Sequence, residues 1–276
     1  PGTGYYPFDS VMTITAVPKP GYKLCQWHNG SQSESLTYQV IAHDSLFKAT
    51  FCKASYWVKT EAYEGKGTVM PNSTQYEYQT DVKVYATPKD GYHLARWNTG
   101  STADTIYYQV AAKDSNFIAY FEPNLYTVET SVYESHGTVT QFADKQPFGS
   151  VANIVANPND GYTFDHWEDK YGNTVWTTAT LNYMVDARDT AFVAHFKPLR
   201  YHVTIATDWS RGSVTPPSDY YPCDSTLNIK ATANTGYQFD GWSDGFPLSE
   251  RSYRVEVKPD TVFTAKFKPL QFTVSV

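Results

Sequence analysis

Hydrophobic and polar positions alternate along this chain with a period of two over short stretches. That is the pattern of strands that bury one face and wet the other. Residues 54–123 illustrate it. Tyr56 and Val58 open a strand, Glu64-Gly65-Lys66-Gly67 turns it, and Thr68-Val69 is expected to return as a hairpin. Val82, Val84 and Ala86 alternate in a third strand, which Pro88 ends because proline cannot donate to a ladder. Asp90-Gly91 reads as a turn, and Leu94 through Trp97 as a short fourth strand. Tyr108-x-Val110 and Phe117-x-Ala119-x-Phe121 are expected to form a closing hairpin around Lys113-Asp114-Ser115. The segment thus predicts about six short strands and almost no helix.

The same pattern occurs four times. A septet Gly-Tyr-x-[Leu/Phe]-x-x-Trp recurs as Gly21-Tyr22 to Trp27, Gly91-Tyr92 to Trp97, Gly161-Tyr162 to Trp167 and Gly236-Tyr237 to Trp242. Five residues before each glycine stands an alanine, Ala16, Ala86, Ala156 or Ala231. Each unit closes on a Phe-x-Ala-x-Phe pattern, from Phe47-Ala49-Phe51 to Phe263-Ala265-Phe267. A self-similarity of this length is the mark of a tandem repeat array. The expected divisions are 1–53 for repeat one, 54–123 for two, 124–198 for three and 199–269 for four. Residues 270–276 read as the start of a fifth unit, and repeat one lacks its first hairpin, so the array is expected to be part of something longer.

Differences between units are equally legible. Repeat three carries five extra residues between Trp167 and Tyr183, which predict an enlarged loop. Repeat four carries one extra residue between Tyr253 and Asp260, read as a bulge or a longer turn. The junctions Phe121-Glu-Pro-Asn-Leu-Tyr126, Phe196-Lys-Pro-Leu-Arg-Tyr201 and Phe267-Lys-Pro-Leu-Gln-Phe272 hold proline instead of a Gly/Ser run, so stiff links and an elongated rod are expected.

The septet, the preceding Val-x-Val-x-Ala-x-Pro strand and the closing Phe-x-Ala-x-Phe together resemble the divergent internalin B-repeat family, also described as the Listeria–Bacteroides repeat. The resemblance covers nearly the whole chain. It implies small, β-grasp-like, all-β units in bacterial surface or secreted proteins, where they form stalks or adhesive spacers, and it carries no catalytic residues. Ala233 departs from the pattern, standing where the other units have Pro18, Pro88 and Pro158.

Composition agrees with an all-β chain, since Tyr and Val outnumber Leu and β-branched and aromatic residues fit a pleated surface. The net charge of −6 comes without any basic stripe, so nucleic acid is not an expected partner. No apolar run reaches the ~18 residues of a membrane helix, and insertion of this chain into a membrane is not expected. A monomer is expected. The three cysteines, Cys25, Cys52 and Cys223, read most simply as incidental small apolar residues. A Cys25–Cys52 bridge stays open, because sequence cannot place the two Cα atoms.

Candidate chemistry is sparse. Trp27, Trp97, Trp167 and Trp242, with Tyr22, Tyr92, Tyr162 and Tyr237, recur too regularly for a catalytic role and read as core. Trp57, Trp176 and Trp209 break the period, as does Tyr171 in the insertion of repeat three. These four are the candidates for stacking on a sugar or anchoring a host or cell-surface protein, with packing between units as the competing reading. The histidines show no H-x-x-x-H spacing, so no metal site is expected. His43-Asp44-Ser45 suggests a triad, yet it is one copy of a repeated turn. Asp165, Asp169, Asp240 and Asp244 suggest calcium, yet repeats one and two lack them.

Asp-[Ser/Thr] followed by a small apolar residue or Thr occurs at Asp9, Asp44, Asp104, Asp189, Asp224 and Asp260. It resembles an O-glycan acceptor motif of Bacteroides-type bacteria, and it also reads as ordinary turn capping, which is the favoured reading. No cofactor and no catalytic constellation is expected. The function expected is that of a non-enzymatic extracellular stalk, spacer or adhesin segment, with a carbohydrate- or protein-binding module as the alternative.

Overall fold

The structure is a computed structural model that describes residues 2–142, 144–258 and 260–275. Pro1 of the first expected unit and Val276 of the last segment lie outside the described residues. The chain is all-β, and its single helical feature among the described residues is a 3-10 turn, Tyr63–Gly65.

Repeat two shows the complete unit. Its seven strands are Ser55–Ala62, Gly67–Met70, Thr74–Glu77, Asp81–Pro88, Tyr92–Trp97, Thr105–Gln109 and Ser115–Pro123. They alternate strictly between two sheets. The first, third, fifth and seventh form one sheet, ordered Thr74–Glu77, Ser55–Ala62, Ser115–Pro123, Tyr92–Trp97. The second, fourth and sixth form the other, with Asp81–Pro88 central. Both expected hairpins are therefore corrected. Ser55–Ala62 and Gly67–Met70 do not pair, since the first joins Thr74–Glu77 and the second joins Asp81–Pro88. Likewise Thr105–Gln109 pairs with Asp81–Pro88, while Ser115–Pro123 runs parallel to Ser55–Ala62 and antiparallel to Tyr92–Trp97. The turns are arches from sheet to sheet. Period-two alternation reports which face of a strand is buried and says nothing about its partner, and strands facing one core from opposite sheets alternate alike.

The septet places its tryptophan by a β-bulge. Across Tyr92–Trp97 and Ser115–Pro123, Leu94 faces Phe121 and Trp97 faces Ala119, so three steps on one strand oppose two on the other. Without the extra residue, Leu94 and Trp97 would point to opposite faces. The bulge recurs between Leu24 and Gln26, Phe164 and His166, and Phe239 and Gly241. Trp97 and Trp167 are fully enclosed, and Trp27 and Trp242 nearly so. Each indole Nε1–H donates to a carbonyl in the following loop: Ser33 at 2.8 Å, Ala103 at 2.7 Å, Thr178 at 3.2 Å and Leu248 at 2.9 Å. Around Trp97 pack Val58, Val84, Val110, Phe117, Ala119 and Phe121. Repeats three and four build equivalent clusters around Trp167 and Trp242. The Tyr of the sixth strand meets the first closing Phe edge-on in every repeat, at 4.7 to 5.1 Å.

The insertion of repeat three is more than a loop. It extends the septet strand to Tyr162–Asp169 and adds an edge strand, Thr174–Trp176, that pairs back on it. The extra residue expected in repeat four, as a bulge or a longer turn, aligns with Pro259 and lies outside the described residues.

Repeat one has four strands in two pairs, Val11–Thr15 with Ser35–Gln39 and Tyr22–Trp27 with Ala49–Lys53. It keeps the arches but lacks the parallel opening strand, and Phe51 stays 39% exposed where Phe121 and Phe267 are buried. Cys25, the bulged residue, and Cys52 form a disulfide with Cα atoms 5.7 Å apart. The expectation of three incidental cysteines is thereby corrected for two of them, because the bulge aims residue 25 across the strand pair. Cys223 remains free and buried. The same cross-strand position carries Asp165–Lys197 in repeat three and Asp240–Lys268 in repeat four, at 2.8 and 2.7 Å. Closing a 27-residue separation, the disulfide stabilises repeat one by about 3 kcal/mol. Melting of a Cys25→Ala/Cys52→Ala variant is expected to show an earlier loss of the first repeat alone. Curves superimposable on wild type would overturn that.

The chain forms two compact units, Pro1–Asn124 and Leu125–Val276, each holding two repeats. Within each unit the repeats are clamped at the junction. Ala54 N–H donates to the Gly21 carbonyl and its own carbonyl accepts from Tyr78 N–H, both at 2.8 Å. Leu199 does the same between the Gly161 carbonyl and Cys223 N–H, again at 2.8 Å.

Candidate functional site

The period-breaking aromatics are partly or largely exposed, Trp176 at 39%, Trp57 at 41%, Trp209 at 66% and Tyr171 at 71%. Trp57 lies on an outward position of Ser55–Ala62, and its backbone N–H donates to Asp114 at 2.9 Å. Trp176 sits opposite Trp167 on the added edge strand and meets Phe192 edge-on. Tyr171 occupies the tip of that hairpin with Lys170 over its ring. Trp209 stands at the opening turn of repeat four, where Asn234 donates to its carbonyl. Trp57 belongs to a different unit from the other three, and among the described residues no ring contact joins any two of the four. None of them lines the shallow depressions beside Tyr201, Met70 or Tyr108.

Of the septet tyrosines, Tyr92 and Tyr237 pack against the core clusters of their repeats, and none of the four is fully buried. Tyr92, Tyr162 and Tyr237 are half-buried, and Tyr22 is 37% exposed. Each of the first three is covered by the basic residue that ends the opening arch of its own repeat: Lys66 at 5.6 Å, His136 stacked at 4.0 Å and Arg211 at 5.9 Å. Such contacts draw on the electron-rich ring face. Repeat one has no opening arch, which is why Tyr22 lacks a cover and leans edge-on against Tyr78.

The suspected triad is a turn. His43 Nδ1 meets the Asp44 backbone carbonyl, and the Ser45 hydroxyl pairs with Tyr38. The aspartates considered for calcium are already engaged. Asp165 is held by Lys197 and then by His166, which keep its carboxyl below the usual range. Asp169 accepts from the backbone and side chain of Asn173, again lowering its pKa. Asp240 pairs with Lys268 and Asp244 with Arg251. Two Asp-[Ser/Thr] pairs cap turns, for Ser10 donates to Pro7 and Ser225 to Pro222, while Asp189 instead accepts from the distant Thr127 N–H.

A cluster invisible to spacing rules lies on repeat three. The bulge register places His166 directly across from His195 on Thr190–Pro198. Their rings stack at 4.4 Å and 5°, and Tyr133 stacks on the far side of His195 at 4.6 Å. Glu168, two residues after His166, brings Oε2 to 3.2 Å from His195 Nε2. His166 Nδ1 pairs with Asp165 Oδ2 at 2.9 Å. The two histidines are 29 residues apart in sequence, so no helical or loop motif could flag them. Aligning the septets with the closing motifs, together with the bulge, would have done so.

Four successive segments, residues 2–55, 56–125, 126–200 and 201–271, match the divergent InlB B-repeat domain. No curated protein sequence matches. Among solved structures the chain is similar to the Bacillus anthracis TIE protein, at 8% identity and a TM-score of 0.37, covering 93% of this chain and 68% of that one. It is also similar to the pilus adhesin SpaC from Lactobacillus rhamnosus GG in its open conformation, at 8% identity and a TM-score of 0.25, covering 88% of this chain and 47% of that one.

Proposed function

The chain belongs to the divergent InlB B-repeat family, and from that premise we propose that it is a non-enzymatic spacer of a bacterial surface or secreted protein. Its mechanism is geometric. Repeats two, three and four each close a Trp-centred core, and within each compact unit the link between its two repeats is held on both sides instead of swinging freely. The observation that carries this reading is the junction, where Ala54 and Leu199 are hydrogen-bonded both to the repeat they leave and to the one they enter. A linker with its backbone groups committed on both sides has few conformations left to it, so a load or a distal domain is held at a set distance. The disulfide in repeat one fits an oxidising, extracellular setting. Among the described residues no helix is long and apolar enough to cross a membrane. The alternative, a sugar- or protein-binding module, rests on four exposed aromatics, of which Trp176, Tyr171 and Trp209 share a unit without a ring contact among them, so the spacer reading is preferred.

Small-angle scattering tests it. A compact globule of this length has a radius of gyration of about 19 Å, and the spacer is expected to exceed that clearly, with a rod-like profile. A compact value would overturn the mechanism.

A further inference from the structure

We propose that His166, Glu168 and His195 form a divalent-metal site on repeat three, suited to Zn2+. The ligand atoms of the three side chains all lie within 4.8 Å of one another. Two imidazoles and one carboxylate are a donor set that borderline divalent ions favour, with a fourth position left for water.

Three features point to an ion instead of a simple ion pair. His195 Nε2 is buried and has no hydrogen-bond partner, although Glu168 Oε2 is only 3.2 Å away. The His195 nitrogen and the Glu168 carboxylate are thus neighbours without a hydrogen bond between them, and that nitrogen has no other protein partner. Asp165 holds His166 through Nδ1, and Lys197 holds Asp165 in turn. An imidazole whose Nδ1–H donates to a carboxylate presents its Nε2 lone pair, the usual outer-shell arrangement of a metal-bound histidine. The side chains are also partly accessible, at 23% for His166, 32% for Glu168 and 17% for His195, so an ion can enter.

The repeats supply an internal comparison. In repeat two the positions of His166 and His195 are Arg96 and Tyr120, and Arg96 stacks over Tyr120 at 4.4 Å with Tyr63 beyond. The corresponding pairs are Gln26 and Thr50 in repeat one and Gly241 and Lys266 in repeat four. A stack built for packing needs no ligand atoms, as repeat two shows. Repeat three converts both stacked positions to imidazole and adds Glu168 where repeat two has Asn98. Glu168 is also the residue at which the extra edge strand pairs back, so a bound ion would tie that hairpin to Thr190–Pro198. The site is independent of the spacer reading.

Zinc titration of the full chain, stripped with chelator and followed by calorimetry, tests the proposal. Wild type is expected to bind one equivalent with micromolar or tighter affinity, and to raise the melting temperature on binding. Glu168→Gln and His195→Gln are expected to abolish that equivalent, while Asp165→Asn, acting through His166, weakens it by about tenfold. His43→Asn, at an exposed turn, leaves it unchanged. Co2+ should give the visible absorption of a four-coordinate site in wild type and lose it in the Glu168 variant. Failure of wild type to bind Zn2+, or binding that persists in Glu168→Gln and His195→Gln, would leave the cluster as packing and overturn the proposal.

Discussion

Trp97→Ala is expected to destabilise repeat two by about 3–5 kcal/mol, the cost of removing a large buried aromatic. Trp97 is fully buried at the centre of the two sheets, so its loss leaves a cavity that neither sheet can collapse into alone. The indole is also the donor to Ala103, and without it a carbonyl that closes the following loop loses its partner. A repeat of about 70 residues holds roughly 4–10 kcal/mol of stability, so the loss removes much of the total. In an array, stability is close to a sum of unit terms and nearest-neighbour interfaces. The variant should therefore lose repeat two cooperatively, while repeats three and four keep their transition. Denaturant melts followed by near-ultraviolet circular dichroism would show a split curve, whereas a melt indistinguishable from wild type would sink the core assignment.

Gly161→Ala should cost about 2–5 kcal/mol, and Gly236→Ala only about 1–2. The two glycines hold the same septet position and the same backbone, with φ of 85° and 89°. An L-residue is strained in that region at either site. They differ in what a Cβ would meet. At Gly161 it would lie 2.5 Å from the Cys223 sulfur and 2.7 Å from Val257 of the next repeat, while Gly236 has nothing within 4 Å. Gly21 repeats the crowding, with the Tyr78 ring 2.4 Å away. The difference between the two variants thus isolates the junction from the backbone strain. Equal destabilisation of Gly161→Ala and Gly236→Ala would mean that the repeats do not press on this glycine, and the clamped junction would fall with it.

The glycine illustrates how much of the molecule a one-dimensional reading reaches. Its recurrence and the turn it makes are visible in the septet, but its second task, admitting a neighbour's side chain, depends on residues 57 to 96 positions further along. The regularity of the tyrosines that follow it points to core packing. Tyr92 and Tyr237 do pack against the core, and what spacing does not show is the second contact, with Lys66, His136 or Arg211 of the opening arch over the ring of Tyr92, Tyr162 or Tyr237. The insertion was legible as five residues, but not as an added strand.

The sequence by itself determined what is local and periodic: an all-β chain, four repeats, the recurrent tryptophan and the family. Each of these is written as a spacing, and spacing survives in one dimension. Pairing does not. Strands of opposite sheets that face one core alternate alike, so only the tertiary structure could show that consecutive strands arch between sheets instead of forming hairpins. A bulge shifts register by a single residue, and that shift decided which side chains meet across the strands: Cys25 with Cys52, Asp165 with Lys197, and His166 with His195.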